Sequence, residues 1–340
     1  MTTLELMQEA GCIHRGSIMK VELPVHDTII NTFNIYGSIT SIISNKEQCW
    51  PWMYNNFIQI RYVYDWNVYF FDHHHLLIDN CPWLDHHVIP KYFIESKWNS
   101  IVELIIDSLN SGNYLYLFVD RYHISAAKEF YKKSPCIHEI FIYGYNIETR
   151  ELLVADNLQN GKYIQTVCTF EEIELGYNAV DTDNNFYLDV HLLSLKEENK
   201  YNINISQIAQ SLNNYLDSTC SMDVSFKERT LFGQKAILFS VENVADQKID
   251  IRAFHLFWEH KHLMFSRINY LIQHNVLSEG QCLLDSYRSI RDKFESLRNL
   301  ALKYNITKEN KLLTKIHSHI VEGLSEEKQI LMEVKDRLYL

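Results

Sequence analysis

His138 and Asp156 stand at the two ends of one predicted β-hairpin, and an imidazole held by a carboxylate is a base fixed in one tautomer. The strands read His138-Glu-Ile-Phe-Ile-Tyr-Gly-Tyr145 and Glu151-Leu-Leu-Val-Ala-Asp156, with residues 146–150 as the turn. If the hairpin closes symmetrically about Ile147, positions 138 and 156 face each other across the strands, within hydrogen-bond reach. That is two thirds of a Cys-His-Asp or Ser-His-Asp apparatus. The plainer alternative is an ion pair at a sheet end. The chemistry then turns on a nucleophile, and the chain holds seven cysteines. Cys49 precedes Pro51 at a predicted helix start, where free N–H groups and the helix dipole lower a thiol pKa; a buried packing thiol is the competing reading. Cys12 lies in a poorly patterned terminal segment. Cys136 sits two residues before His138, in the loop leading into the strand. Cys81, Cys168, Cys220 and Cys282 read as packing residues.

A second group of candidate ligands is His73-His74-His75 with His86-His87, interspersed with Asp72, Asp79, Cys81 and Asp85. Imidazole and carboxylate suit a transition metal, but adjacent histidines on a strand point to opposite faces, and no HExxH pattern is present. No metal site is assigned. The dense aromatic run from Trp50 to Phe71 is read as core packing rather than as a pocket.

The elements that must position these residues divide the chain near residue 195. Residues 1–195 mix helix and strand signals: a helix over Thr28–Tyr36 behind Asp27 as cap, a helix from Cys49, a helix over Asn99–Leu109, a strand over Asn113–Asp120, the hairpin, and a strand over Gly161–Thr169. This is an α+β arrangement on antiparallel sheet. Residues 196–340 change to long helical patterns at about 205–219, 249–274, 280–304 and 308–338, with a strand block only around 234–241. They form the helical second domain.

Composition narrows the function. With 43 acidic and 32 basic residues the net charge is −11, which argues against a nucleic-acid groove. The N-terminus lacks the blocks of a signal peptide and no stretch has the length of a membrane span, so a cytoplasmic protein with reduced thiols is expected. No glycine-rich phosphate loop is present.

Read with its approach (Leu117-Phe-Val-Asp120, Tyr122-His123, His138, Gly144-Tyr145-Asn146, Val154-Ala-Asp156) the hairpin resembles the N-terminal domain of the butirosin biosynthesis protein H-like family. More remotely it is similar to double-glycine leader peptidases and papain-type cysteine proteases. The helical half, with Ile251-Arg-Ala-Phe-His-Leu-Phe-Trp-Glu-His260 and Arg267-Ile-Asn-Tyr270, resembles relatives that accompany antibiotic and nonribosomal peptide assembly lines. The resemblance implies a papain-like first domain. It also implies an amide-forming acyltransferase that takes an acyl group from an acyl or peptidyl carrier protein thioester onto a cysteine and passes it to an amine acceptor. His138 would be general base and acid, Asp156 its orienter, and no cofactor is needed beyond the donor's phosphopantetheine arm. In such relatives the cysteine opens the first core helix. No cysteine stands near His26-Asp27-Thr28; Cys49, whose Gln48 and Trp50 neighbours are similar to papain's active-site segment, is the nearest substitute. A cysteine peptidase or amidase is the near alternative, and a catalytically silent accessory protein binding a peptide or carrier domain is the alternative of another class.

Overall fold

The hairpin sits at the centre of a larger antiparallel sheet. In the computed structural model, which describes residues 19–181, 187–196, 200–221, 229–242, 244 and 248–338, the strands are β1 (Lys20–Glu22), β2 (Ile60–Val63), β3 (Val68–Phe71), β4 (Leu84–Ile89), β5 (Asn113–Asp120), β6 (Ile137–Asn146), β7 (Glu151–Gln159), β8 (Lys162–Thr169), β9 (Val190–Leu195) and β10 (Thr230–Phe232). The α-helices are α1 (Asn34–Ile43), α2 (Cys49–Asn56), α3 (Lys91–Lys97), α4 (Ile101–Asn110), α5 (Phe170–Asn178), α6 (Ile205–Asp217), α7 (Gly233–Glu242), α8 (Ile251–Gln273), α9 (Gln281–Thr307) and α10 (Asn310–Arg337). They form two compact units. Of the described residues, the first comprises those up to Asp27, Phe33–Ile42 and those within 84–195; the second comprises Thr28–Thr32, Ile43–Trp83 and those from Lys196 onward. The break at 195/196 is thus present, but residues 43–83, assigned from sequence to the first domain, belong with the helical half.

In the first unit the sheet order is β4-β9-β5-β6-β7-β8, with β1 pairing the far end of β6. One face carries a core of Leu115, Leu117, Val119, Ile140, Ile142 and Val154 packed against Leu104 and Ile105 of α4 and Ile173 of α5. The helices start where the sequence caps them. Ser100 accepts from the Glu103 N–H, and Thr169 with Glu172 forms a reciprocal capping box. Helix α1 approaches β8 so closely that a Cβ on Gly37 would lie 2.5 Å from the Tyr163 ring, which only glycine permits.

The second unit joins the small sheet β10-β2-β3 to the long helices α8, α9 and α10. Buried positions on α9 recur alternately at four and three residues, Leu283, Tyr287, Ile290, Phe294, Leu297, Ala301 and Tyr304, as a single apolar stripe requires. The strand expected around 234–241 is helix α7 instead. Its apolar run buries Ala236, Ile237 and Val241 on one face, and a short apolar run does not by itself separate strand from helix. Gly233 opens it at φ +57°, with its Cα against the Tyr215 carbonyl. Among the described residues no helix is long and apolar enough to cross a membrane.

Candidate functional site

The hairpin register differs from the symmetric closure. Asn146 pairs with Glu151, which centres the turn between Glu148 and Thr149, and a bulge follows between Ile142 and Gly144. Phe141 then pairs with Ala155, so Asp156 lies two residues along from the position facing His138. The two side chains still approach: His138 Nδ1 is 3.5 Å from Asp156 Oδ1, longer than the expected hydrogen bond. Arg121 fills the gap. Its Nη2 donates to Asp156 Oδ2 at 2.5 Å and to the Asn157 carbonyl, and lies 2.8 Å from His138 Nδ1.

Arg121 and Glu139 crowd the same side of the imidazole. His138 Nδ1 is shared: the Arg121 guanidinium, a donor, lies at 2.8 Å, and the Glu139 carbonyl and carboxylate, both acceptors, each lie at 3.1 Å, so either tautomer is served. A base oriented by a carboxylate gives Nδ1–H to the acid and keeps Nε2 free to take a proton. His138 Nε2 has no partner among the described residues, and the side chain is 30% exposed. It presents an open ring nitrogen to whatever docks there.

Asn34 is the first residue of α1 and completes the cluster. Its Nδ2 donates to Asp156 Oδ1 (2.8 Å) and to the Glu139 carbonyl (3.1 Å), and its Oδ1 accepts from Ser38 Oγ (2.6 Å). The β6–β7 ladder ends at Phe141–Ala155, and the carboxamide satisfies the Glu139 carbonyl beyond that end. The predicted helix over Thr28–Tyr36 starts instead at position 34. The buried Glu259 carboxylate accepts the backbone N–H groups of Asn31 and Thr32 and the Thr32 hydroxyl, which holds that stretch out of helical form. Asp120, the strand-ending acid, sets the other wall: its Oδ1 accepts from the N–H groups of Tyr122 and Cys136, while the Arg121 N–H bonds the Cys136 carbonyl.

Of the three predicted site residues, His138 and Asp156 come together in the first unit. Cys49 belongs to the second unit. It opens α2 as expected but is fully buried, and burial pushes its thiol up to about 12, so thiolate is scarce at neutral pH. Its surroundings are those of a packing residue. Cys136 is half-buried beside Arg121; burial raises its thiol while the guanidinium pulls it down. Cys81 and Cys168 are buried, Cys220 and Cys282 are exposed, and Cys12 lies outside the described residues. Sequence reasoning missed Arg121 and Asn34. The signal for Arg121 was its place directly after a strand-ending aspartate; nothing in the local pattern marked Asn34.

The two histidine runs separate. His86 on β4 pairs with His191 on β9, Nε2 to Nδ1 at 2.8 Å, whereas His73 to His75 belong to the second unit. Among the described residues no three His, Cys, Asp or Glu side chains converge as a metal site. His73 is buried beside Arg61, and burial, followed by that charge, brings it down to about 3; His260, fully buried against the Ile58 carbonyl, is also lowered by burial. The sign follows: below the unfolded value near 6.5 the unfolded chain binds protons that the folded one refuses, so stability falls as pH drops from there toward 3. Each histidine contributes at most about 1.4 kcal/mol per pH unit in that window. Asp72, raised by burial, opposes this at the acid end. Urea unfolding at about pH 6 and about pH 5 should show the fall, and His260→Gln, which keeps a donor for Ile58, should remove about 1.4 kcal/mol of it. An unchanged slope in the variant would refute the assignment.

No family model matches the chain, and no curated protein matches it in sequence.

Proposed function

We propose that this protein is an accessory binding protein of specialised-metabolite assembly. It holds the acyl or peptidyl arm of a carrier protein at the His138–Arg121 edge of its first unit and forms no acyl-enzyme. The observation that carries the reading is Asn34. A helix start set beside a histidine strand and an aspartate strand is the papain-type arrangement the family resemblance implies, and here that start is a carboxamide spent on three hydrogen bonds. Arg121 points the same way, since its guanidinium pairs with Asp156 and crowds the imidazole nitrogen that a carboxylate would orient in a catalytic base. The active reading, an amide-forming acyltransferase, is kept by one observation: Cys136 immediately precedes the histidine's strand, two residues before His138, and is backbone-paired to Arg121.

Titration with S-octanoyl-pantetheine tests the proposal. The thioester should bind and be recovered intact, and His138→Ala, at a partly exposed position, should weaken binding about tenfold by removing one hydrogen bond. Consumption of the thioester, or no binding at all, would defeat the proposal.

A further inference from the structure

The second unit holds a cleft of about 740 Å³, apart from the His138 site, which lies in the first unit. Three stretches line it: the start of α2, the segment 200–203 and the C-terminal turns of α8. A ladder of rings runs along it. Trp50 stacks on Tyr54 with centroids 5.7 Å apart, Tyr54 meets Tyr270 at 5.1 Å, and Tyr270 lies against His274 at 4.0 Å. The carboxamides of Gln48, Asn269 and Gln273 add paired donors and acceptors, and the charges of Glu47 and Lys200 cancel. Such a wall suits an uncharged ligand with both apolar and hydrogen-bonding parts.

The backbone between 201 and 204 narrows the class. Asn55 Nδ2 donates to the Asn202 carbonyl (3.0 Å) while its Oδ1 accepts from the Asn204 N–H (2.9 Å). Those two groups flank Ile203 on one side of the chain, as one strand of a ladder flanks the next, so the N–H and C=O of Ile203 point to the other side. Neither they nor those of Tyr201 have a hydrogen-bond partner among the described residues, and both residues line the cleft. An open main-chain edge beside carboxamides and a ring ladder is chemistry for a peptide: main-chain bonds give affinity, the rings take apolar side chains, and carboxamides pair with amides. We propose that this cleft binds a short uncharged peptide segment, laid as an added strand along residues 201–203. A sugar would stack on the same rings, but it has no use for an open main-chain edge.

The proposal goes beyond the carrier-arm reading and involves none of its residues. Calorimetric titration of the full chain with acetylated, amidated tetrapeptides of uncharged residues tests it, alongside the same peptides N-methylated at the central amide and alongside cellobiose. Unmethylated peptides should bind with Kd of about 100 µM, and N-methylation should weaken them about tenfold. Tyr270→Ala and Asn269→Ala, on half-buried positions, should each weaken binding about tenfold with unchanged helical content, while His138→Ala leaves it unaltered. Equal affinity for the methylated peptides, preference for cellobiose, or no heat at millimolar peptide would overturn it.

Discussion

An Asp156→Ala protein should unfold with a stability about 3–5 kcal/mol below that of the parent. The carboxylate is 1% exposed and is the counter-ion of Arg121, itself only 7% exposed. Arginine does not escape a buried site by losing its proton, so alanine leaves a whole charge without a partner. The same change strips Asn34 Nδ2 of one acceptor and frees the Asn157 N–H that Asp156 Oδ1 also accepts. Asp156→Asn should recover only a small part of the loss, because its oxygen can accept from Arg121 but its NH2 then faces the donors Asn34 Nδ2 and Asn157 N–H, and the arginine charge stays without a counter-ion. Urea unfolding of the three proteins measures this, and a loss under about 1 kcal/mol for alanine would mean that water reaches the site freely.

Glu327→Ala should cost the second unit a similar 3–5 kcal/mol or so. Glu327 occupies a core position in the α10 stripe Ile316, Ile320, Leu324, Leu331 and Val334, with no exposed surface. It binds Lys261 Nζ at 2.8 Å and accepts the hydroxyls of Tyr215 and Tyr287. Burial lowers Lys261 from its ordinary value, and Glu327 is what raises it back. Without the carboxylate the folded state prefers neutral lysine, whereas the unfolded chain keeps its proton up to about pH 10.4. The variant should therefore gain stability relative to wild type as pH rises from about 7 to about 9, the direction opposite to alkaline destabilisation. A double variant, Lys261→Met with Glu327→Leu, should lie much closer to wild type than Glu327→Ala does, because no unpaired charge remains.

The sequence was most legible where one face of a long element is buried. The patterns at 249–274, 280–304 and 308–338 correspond to α8, α9 and α10 because alternate three- and four-residue spacing needs only local information. It was least legible where a distant group decides. Glu259 sets where α1 begins, from more than two hundred residues away. The hairpin register depends on β1, since a Cβ on Gly144 would lie 2.6 Å from the Val21 carbonyl, beside the bulge that shifts the pairing. His138 and Asp156 were visible as a pair by residue type, but the arginine that pairs with Asp156 follows the end of β5, where sequence spacing says nothing about which side chain turns inward. Cys49 shows the converse: its neighbours fit a nucleophile, and only its burial shows otherwise.

The wild-type chain should form no acyl-enzyme, because Asn34 stands where the first core helix would carry its nucleophile. Intact-protein mass after exposure to S-octanoyl-pantetheine, compared between wild type and Asn34→Cys, tests it most directly. No octanoyl adduct should form on wild type, nor should residue 34 of Asn34→Cys react faster than the native thiols, because a thiol there is buried against the Asp156 carboxylate. Stoichiometric octanoylation of the wild-type chain, at Cys136, Cys49 or any other thiol, would contradict it.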